Sequence, residues 1–288
     1  MIYISSACVK APKIRESVEA LFREGFNHIE LTGGTQRYGD LQKDLVELKE
    51  RYHLSLLCHN YFPPPEKHFV LNLASLNDEI YECTFNHLKE AVELSKSIGA
   101  SKFAFHAGFF IDLSTKEVGQ KISRYKLFDR EKCLSRFVKG FRELLDLADG
   151  KVKLYVENNV LSSSNSKTYE GQNPLMLTSS QDYFELKRFL PELNLLLDVG
   201  HLKVSAQSLG NKFSSELDIL MGESDYLHFS DNDALEDLNH SIQNESSIYD
   251  SLKGYDFKNK TVTLEYYTEI QDIKKSYELV KNLQGMQT

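Results

Sequence analysis

The residues that could do chemistry stand at the ends of short apolar runs. The stretch "LNLLLDVGHLK", residues 193–203, ends its run in Asp198, with His201 three residues on. His59 closes "LSLLCH", His106 falls at the end of "KFAFHA" and Glu157 closes "KLYVE". His228 lies in "YLHFS" and is followed by Asp231 and Asp233; Glu265 lies in "TVTLEY" and Glu30 near the end of "HIEL". A single His or Glu in such a place is most often a loop hydrogen-bonding group. Jointly they pose a problem, because carboxylates crowded in one low-dielectric pocket raise one another's pKa or destabilise the fold. A divalent cation resolves it. Glu157, Asp198, His228 and Glu265 come from four successive runs and offer three carboxylates and one imidazole. That donor set suits one Mn²⁺, Mg²⁺, Co²⁺ or Zn²⁺ ion without choosing among them. His28, His53, His68 and His87 read as residues away from the chemistry, on helix or loop positions.

The elements that position these residues follow from patterning. Eight β-rich runs (2–5, 28–31, 54–59, 102–107, 153–157, 193–198, 226–230 and 261–266) alternate with longer amphipathic stretches. In "IRESVEALFREG", Ile14, Val18, Leu21 and Phe22 form one apolar stripe and Gly25 is a stop signal. "DLQKDLVELKERY", "NDEIYECTFNHLKEAVELSKSIG", "SSQDYFELKRFL" and "EIQDIKKSYELVKNL" repeat the pattern. Strand–helix alternation implies parallel pairing with right-handed crossovers, and eight units make a closed (β/α)₈ barrel. A doubly wound open sheet normally carries a Gly-rich phosphate loop after its first strand; "SSACVKAP" stands there. The expectation is one TIM-barrel domain over residues 1–288, with long loops at 107–128 and 161–180, after strands 4 and 5. All eight strand ends then meet at one face.

Composition narrows the function classes. A net charge of −8 offers no general attraction for phosphate backbones or anionic membranes. The N-terminus lacks the pattern of a signal peptide, no run approaches a membrane span, and Cys8, Cys58, Cys83 and Cys133 are scattered as in a reduced protein. The expected compartment is the cytoplasm.

The segments "VENN", "LLLDVGH", "LHFSDND" and "TLEY" resemble those of the xylose-isomerase-like barrel superfamily, in strand order over essentially the whole chain. Its members include sugar and sugar-phosphate isomerases and epimerases, dehydratases, and endonuclease IV. The resemblance implies Glu157, Asp198, His228 and Glu265 as metal ligands, with Glu157 and Glu265 doubling as the acid/base pair. It implies His201 as a substrate contact, and His59 and His106 as residues lining the substrate pocket. The turn after strand seven departs from the pattern. "HSIQNES" keeps His240 and Glu245 but has Asn244 and Ser246 where relatives carry glycine.

The implied chemistry is proton transfer through an enediolate of a sugar or sugar phosphate, giving isomerisation or epimerisation. Lys116, Lys121, Arg124 and Lys126, in the loop after strand four, could hold a phosphate or be a solvated face. Both long loops are candidate lids or homo-oligomer contacts. The rival reading is an endonuclease IV-like nuclease acting on abasic DNA, because His59, His106, His201 and His240 resemble its extra metal ligands. Against it stand the acidic charge and Asp237, one residue out of register with His240. A non-catalytic sugar-binding barrel would not need all four ligands.

Overall fold

The computed structural model describes residues 1–285. Its strands are β1 (Ile2–Ser5), β2 (His28–Leu31), β3 (Ser55–His59), β4 (Lys102–His106), β5 (Lys153–Glu157), β6 (Leu195–Asp198), β7 (Tyr226–Phe229) and β8 (Thr261–Leu264). They pair in parallel and in chain order, and β8 closes on β1 through Tyr3 and Thr263. The closed barrel expected from the alternation is therefore what the chain forms.

The helices are α1 (Ile14–Arg23), α2 (Leu41–Tyr52), α3 (Asp78–Ser97), α4 (Arg130–Ala148), α5 (Ser163–Thr168), α6 (Ser180–Phe189), α7 (Val199–Leu209), α8 (Phe213–Glu223), α9 (Ser247–Leu252) and α10 (Ile270–Gly285). Local signals set their ends. The Asn77 side chain accepts from the Glu79 N–H at the start of α3, and Ser179 does the same for Asp182 at α6. Gly25, at φ 95°, turns the chain after α1, in a left-handed conformation that glycine adopts without strain. The crossover from β6 to β7 holds two helices, α7 and α8, which meet at Gly210 (φ 73°). The apolar stripes singled out in the sequence do not reach that segment. None of the described helices is long and apolar enough to cross a membrane.

Strand periodicity divides the core in two. Ile4, Ile29, Leu56, Phe105, Val156, Leu197, Phe229 and Leu264 point outward into the main core shared with the helices. Tyr3, Leu57, Ala104, Tyr155, Leu196 and Tyr226 form a separate cluster inside the barrel. That inner cluster is a packed floor. The residues two positions further along the strands stand above it, and they include His59, His106, Glu157, Asp198 and His228. The two long loops meet over that end. Phe109 bridges to Leu175, the Tyr169 hydroxyl donates to the Ser123 carbonyl at 3.0 Å, and Ile111, Ile122, Leu161, Tyr169 and Leu175 bury one another.

Candidate functional site

Glu157 is the hub of the charged end. Its carboxylate lies 2.7 Å from His59 Nε2, 3.0 Å from His106 Nδ1, 3.4 Å from His228 Nδ1 and 3.9 Å from His201 Nδ1. His228 Nδ1 also stands 3.3 Å from Glu265 Oε2. Glu265 follows the last residue of β8, and its N–H still reaches the Phe229 carbonyl at 3.2 Å, so the ladder holds its direction. Thr32 Oγ1 stands 3.4 Å from His59 Nδ1, steadying that ring from β2's side.

The segment after β6 positions a second group. Asp198 caps α7, its Oδ1 accepting from the His201 N–H at 2.7 Å. Asn158 clamps Asp198, accepting from its N–H at 2.8 Å and donating to its carbonyl at 3.0 Å. The Asn158 carbonyl is 2.9 Å from His201 Nδ1, which fixes the ring. The glycine of "DVGH" has a steric reason. A Cβ on Gly200 would stand 2.4 Å from Ser230 Oγ and 3.3 Å from Asp198 Oδ1. Sequence spacing sets Asp237 out of register, yet its Oδ2 lies 3.3 Å from His201 Nε2 and accepts from Asn239 Nδ2 at 3.1 Å. His240 is spent otherwise. Its backbone pairs with Asp231, and its side chain is exposed.

Electrostatically these groups are interdependent. Burial alone would raise the Glu157 carboxyl, but His106 and His59 hold it well below the usual range. Burial pushes Asp198 up to about 6, against the pull of His201. Burial lowers His106 to about 4. His201 and His228 are lifted well above ordinary imidazole despite burial, His201 by Asp198 and Asp237, His228 chiefly by Glu30. No lysine or arginine among the described residues pairs with Glu157, Asp198 or Glu265, so protonated imidazoles are the only internal counter-charges.

The donor chemistry fits a divalent metal. His59, His106 and Glu157 each offer a ligand atom, all within 4.8 Å of one another, and so do Glu157, Asp198 and His201. The buried Nδ1 atoms of His106 and His228 make no hydrogen bond, although each faces carboxylate oxygen. A cation accepted by those lone pairs would satisfy both. The four ligands expected from the sequence do come together around Glu157, but the tightest groups recruit His59, His106 and His201 instead of His228 and Glu265.

The remaining expectations sort clearly. Asp231 pairs with Lys203 at 2.9 Å, and Asp233 caps the turn at Leu235 and Glu236; both serve the loop. Arg124 is paired with Glu170 at 2.7 Å on the surface. His28 corrects its reading as a helix or loop residue. It opens β2 at the opposite end of the barrel, edge-on to Tyr3. His53 ends α2 in a left-handed turn, and His68 stacks on Tyr61. Sequence reasoning places Glu30 among the strand ends without a role, sets Asp237 aside as out of register with His240, and does not single out Asn158. For Asn158 the signal is present in "VENN", next to the hub carboxylate.

Residues 18–283 match the family described as the xylose isomerase-like TIM barrel, and the chain belongs to that family. No curated protein matches it. Among solved structures it is similar to a D-tagatose 3-epimerase-like protein, at 19% identity and TM-score 0.72 over 99% of this chain and 97% of that one. It is also similar to D-psicose 3-epimerase with D-tagatose from Clostridium cellulolyticum, at 12% identity and TM-score 0.64 over 99% and 98%. Endonuclease IV from Thermus thermophilus follows at 14% identity and TM-score 0.61, over 99% of each chain. Identities this low establish the shared fold; chemistry must be argued from the site.

Proposed function

We propose that this chain is a divalent-metal-dependent isomerase or epimerase of a sugar or sugar phosphate, acting as one domain. The observation that carries the reading is the pair Glu157 and Glu265, at 3.4 and 3.3 Å from the same unpartnered His228 nitrogen. Two carboxylates facing one point from strands on different sides can serve opposite faces of one carbon. The epimerases among the similar folds agree with it.

Glu157, Asp198, His228 and Glu265 would hold the metal, here Mn²⁺, Mg²⁺, Co²⁺ or Zn²⁺. When bound, the ion supplies positive charge that stabilises the developing enediolate oxygen. One of Glu157 and Glu265 takes the carbon-bound proton, and the other returns one from the opposite face. His59, His106 and His201 orient substrate hydroxyls, and the packed loops 107–128 and 161–180 roof the pocket. Turnover in D₂O with a panel of free and phosphorylated ketoses tests the reading. Deuterium at the inverted or neighbouring carbon is expected. Turnover entirely without solvent deuterium would replace proton transfer by a hydride shift.

A second reading, metal-dependent cleavage of abasic DNA, draws on one observation. Two ligand groups share Glu157, and Asp237 stands beside His201. Two or three ions per chain, with incision of abasic DNA abolished by Glu157→Gln, would favour it. The charge of −8 opposes it.

A further inference from the structure

One buried carboxyl stands below the site and takes no part in the chemistry just described. Glu30 is fully buried, at the level of the apolar floor made by Tyr3, Leu57, Ala104, Tyr155, Leu196 and Tyr226. Its register explains that depth. Glu30 pairs with Leu57, two residues before His59, and so lies one layer beneath the histidines. A carboxyl in such a layer costs several kcal/mol unless its oxygens are satisfied. Glu30 Oε2 accepts from the Tyr226 hydroxyl and from Thr263 Oγ1 at 2.9 Å. It also meets His228 Nε2 at 3.2 Å, while Oε1 lies 3.0 Å from the same nitrogen and has no other partner.

We propose that Glu30 is a positioning residue that locks His228 with its Nε2–H turned down to the carboxylate and its Nδ1 lone pair turned up to Glu157 and Glu265. The inference rests on the metal-dependent reading above and adds to it which nitrogen of His228 is the ligand and what holds it so. Two hydroxyls and one ring nitrogen converge on a group that, as a carboxylate, can only accept. The nitrogen facing it must then carry the proton, and once the ring is neutral, as a metal ligand must be, the lone pair is on the other nitrogen. The Tyr226 and Thr263 hydroxyls fix the carboxylate, and the carboxylate fixes the ring. A carboxylate behind a histidine in this way also raises the donor strength of the free nitrogen. A plug serving only the two hydroxyls would not need an anion, and it would leave the orientation of His228 unset.

The test uses the full chain stripped of metal and titrated with Mn²⁺ or Cd²⁺, wild type beside Glu30→Gln. The neutral amide keeps size and shape but loses the anionic acceptor. Affinity should fall by roughly 10–100-fold, with the circular-dichroism spectrum unchanged. Should Glu30→Gln not fold, Thr263→Val removes one hydroxyl holding Glu30 and should weaken metal binding a few-fold. A second readout needs no variant. In ¹⁵N-histidine protein loaded with ¹¹³Cd²⁺, the one-bond coupling should fall on Nδ1 of His228, with Nε2 still protonated. Coupling at Nε2, or equal affinity in wild type and Glu30→Gln, overturns the role of Glu30 and leaves the metal site standing. A wild-type protein that takes up no divalent ion overturns both.

Discussion

The barrel has a polar cluster at each end, and the two are built on opposite principles. At the N-terminal end, Asp225 meets Lys153 at 2.8 Å, Lys102 at 3.7 Å and the Tyr155 hydroxyl at 2.7 Å. Lys102 lies over the Tyr155 and Tyr226 rings at 4.8 Å from each, and Lys260 donates to the Met221 carbonyl at 2.7 Å. Every charge there has an opposite charge, a ring or a carbonyl to meet. An open cleft of about 610 Å³ adjoins it, lined by Lys153, Asn194, Asp225 and Lys260, whose polar groups are already engaged. At the C-terminal end, Glu157, Asp198 and Glu265 are paired with imidazoles and, among the described residues, with no lysine or arginine, and two buried ring nitrogens have no hydrogen bond. The first cluster is complete as folded. The second is complete only with protons or a cation added, and that difference separates a seal from a site.

The largest effect should come from the hub. Glu157→Gln preserves shape but removes the carboxylate proposed as base and shared ligand, and it should cost at least ~10²-fold in rate with metal saturating. Lys153→Met, at the other end of the same strand, should leave the rate within about twofold, as a surface change far from chemistry does. Comparable losses from both would show that the two ends are not independent.

Asp198→Asn separates binding from folding. If Asp198 is a direct ligand as proposed, metal affinity should drop by more than ~10²-fold, beyond the outer-shell range. The metal-free variant should nevertheless be more stable than metal-free wild type at pH 8. Burial raises the Asp198 carboxyl to about 6, so ionising it in the folded state costs free energy above that pH, on the order of 1–3 kcal/mol. Asn keeps the cap on α7. Urea unfolding in chelator measures this. A clear loss of stability would mean that the upper cluster is as self-sufficient as the lower one.

How much of this contrast was legible in the sequence depends on which residues set it. Strand ends were legible because short apolar runs give way abruptly at His59, Glu157 and Asp198, and parallel topology gathers those ends. Depth was not. Glu30 reads as a strand end like Glu157, yet β2 runs on to Leu31, and its register with β3 sets Glu30 a layer lower. Barrel shear is a property of the closed sheet, and a single strand does not encode it. Asp237 is discounted on spacing alone, because the bridge between Asp231 and His240 that folds its loop back is a contact the linear spacing does not show. The preference of the metal-capable groups for His59, His106 and His201 is likewise a matter of side-chain reach across the barrel.

His87 offers an internal control for the site histidines. It is buried on α3 beside Tyr61 and Phe69, and burial lowers it to about 4, only partly offset by Glu90. The unfolded chain takes up that proton below about 6.5, whereas the folded chain resists it down to about 4. Stability from a neutral His87 is therefore full above about pH 6.5 and is lost as pH falls toward 4, by up to ~3 kcal/mol. His87→Phe should flatten this part of the pH–stability curve relative to wild type. An unchanged slope would mean that burial is not what governs this imidazole.

The smallest effect is expected at the seal, and it tests whether the two ends are separable. Asp225 is about half exposed, with 47% of its side chain accessible, so its ion pairs are screened by solvent. Asp225→Asn keeps an oxygen for the Tyr155 hydroxyl and loses the charge, and the second acceptor oxygen, facing Lys153 and Lys102. Exposed pairs are worth roughly 0.2–1 kcal/mol, and the network with two lysines should lie near the upper limit, about 1 kcal/mol. That corresponds to a fall in Tm of about 2 °C for a chain of this size, shrinking in about 0.5 M salt as the charges are screened. A double-mutant cycle with Lys153→Met should give a coupling of a few tenths of a kcal/mol up to about 1. Metal affinity and turnover should not change, because the packed floor of Tyr3, Leu57, Tyr155, Leu196 and Tyr226 stands between the clusters. Tyr155 and Tyr226 are the route by which this could fail, since one touches Asp225 and the other touches Glu30. A tenfold loss of metal affinity in Asp225→Asn would mean that the floor transmits strain from seal to site.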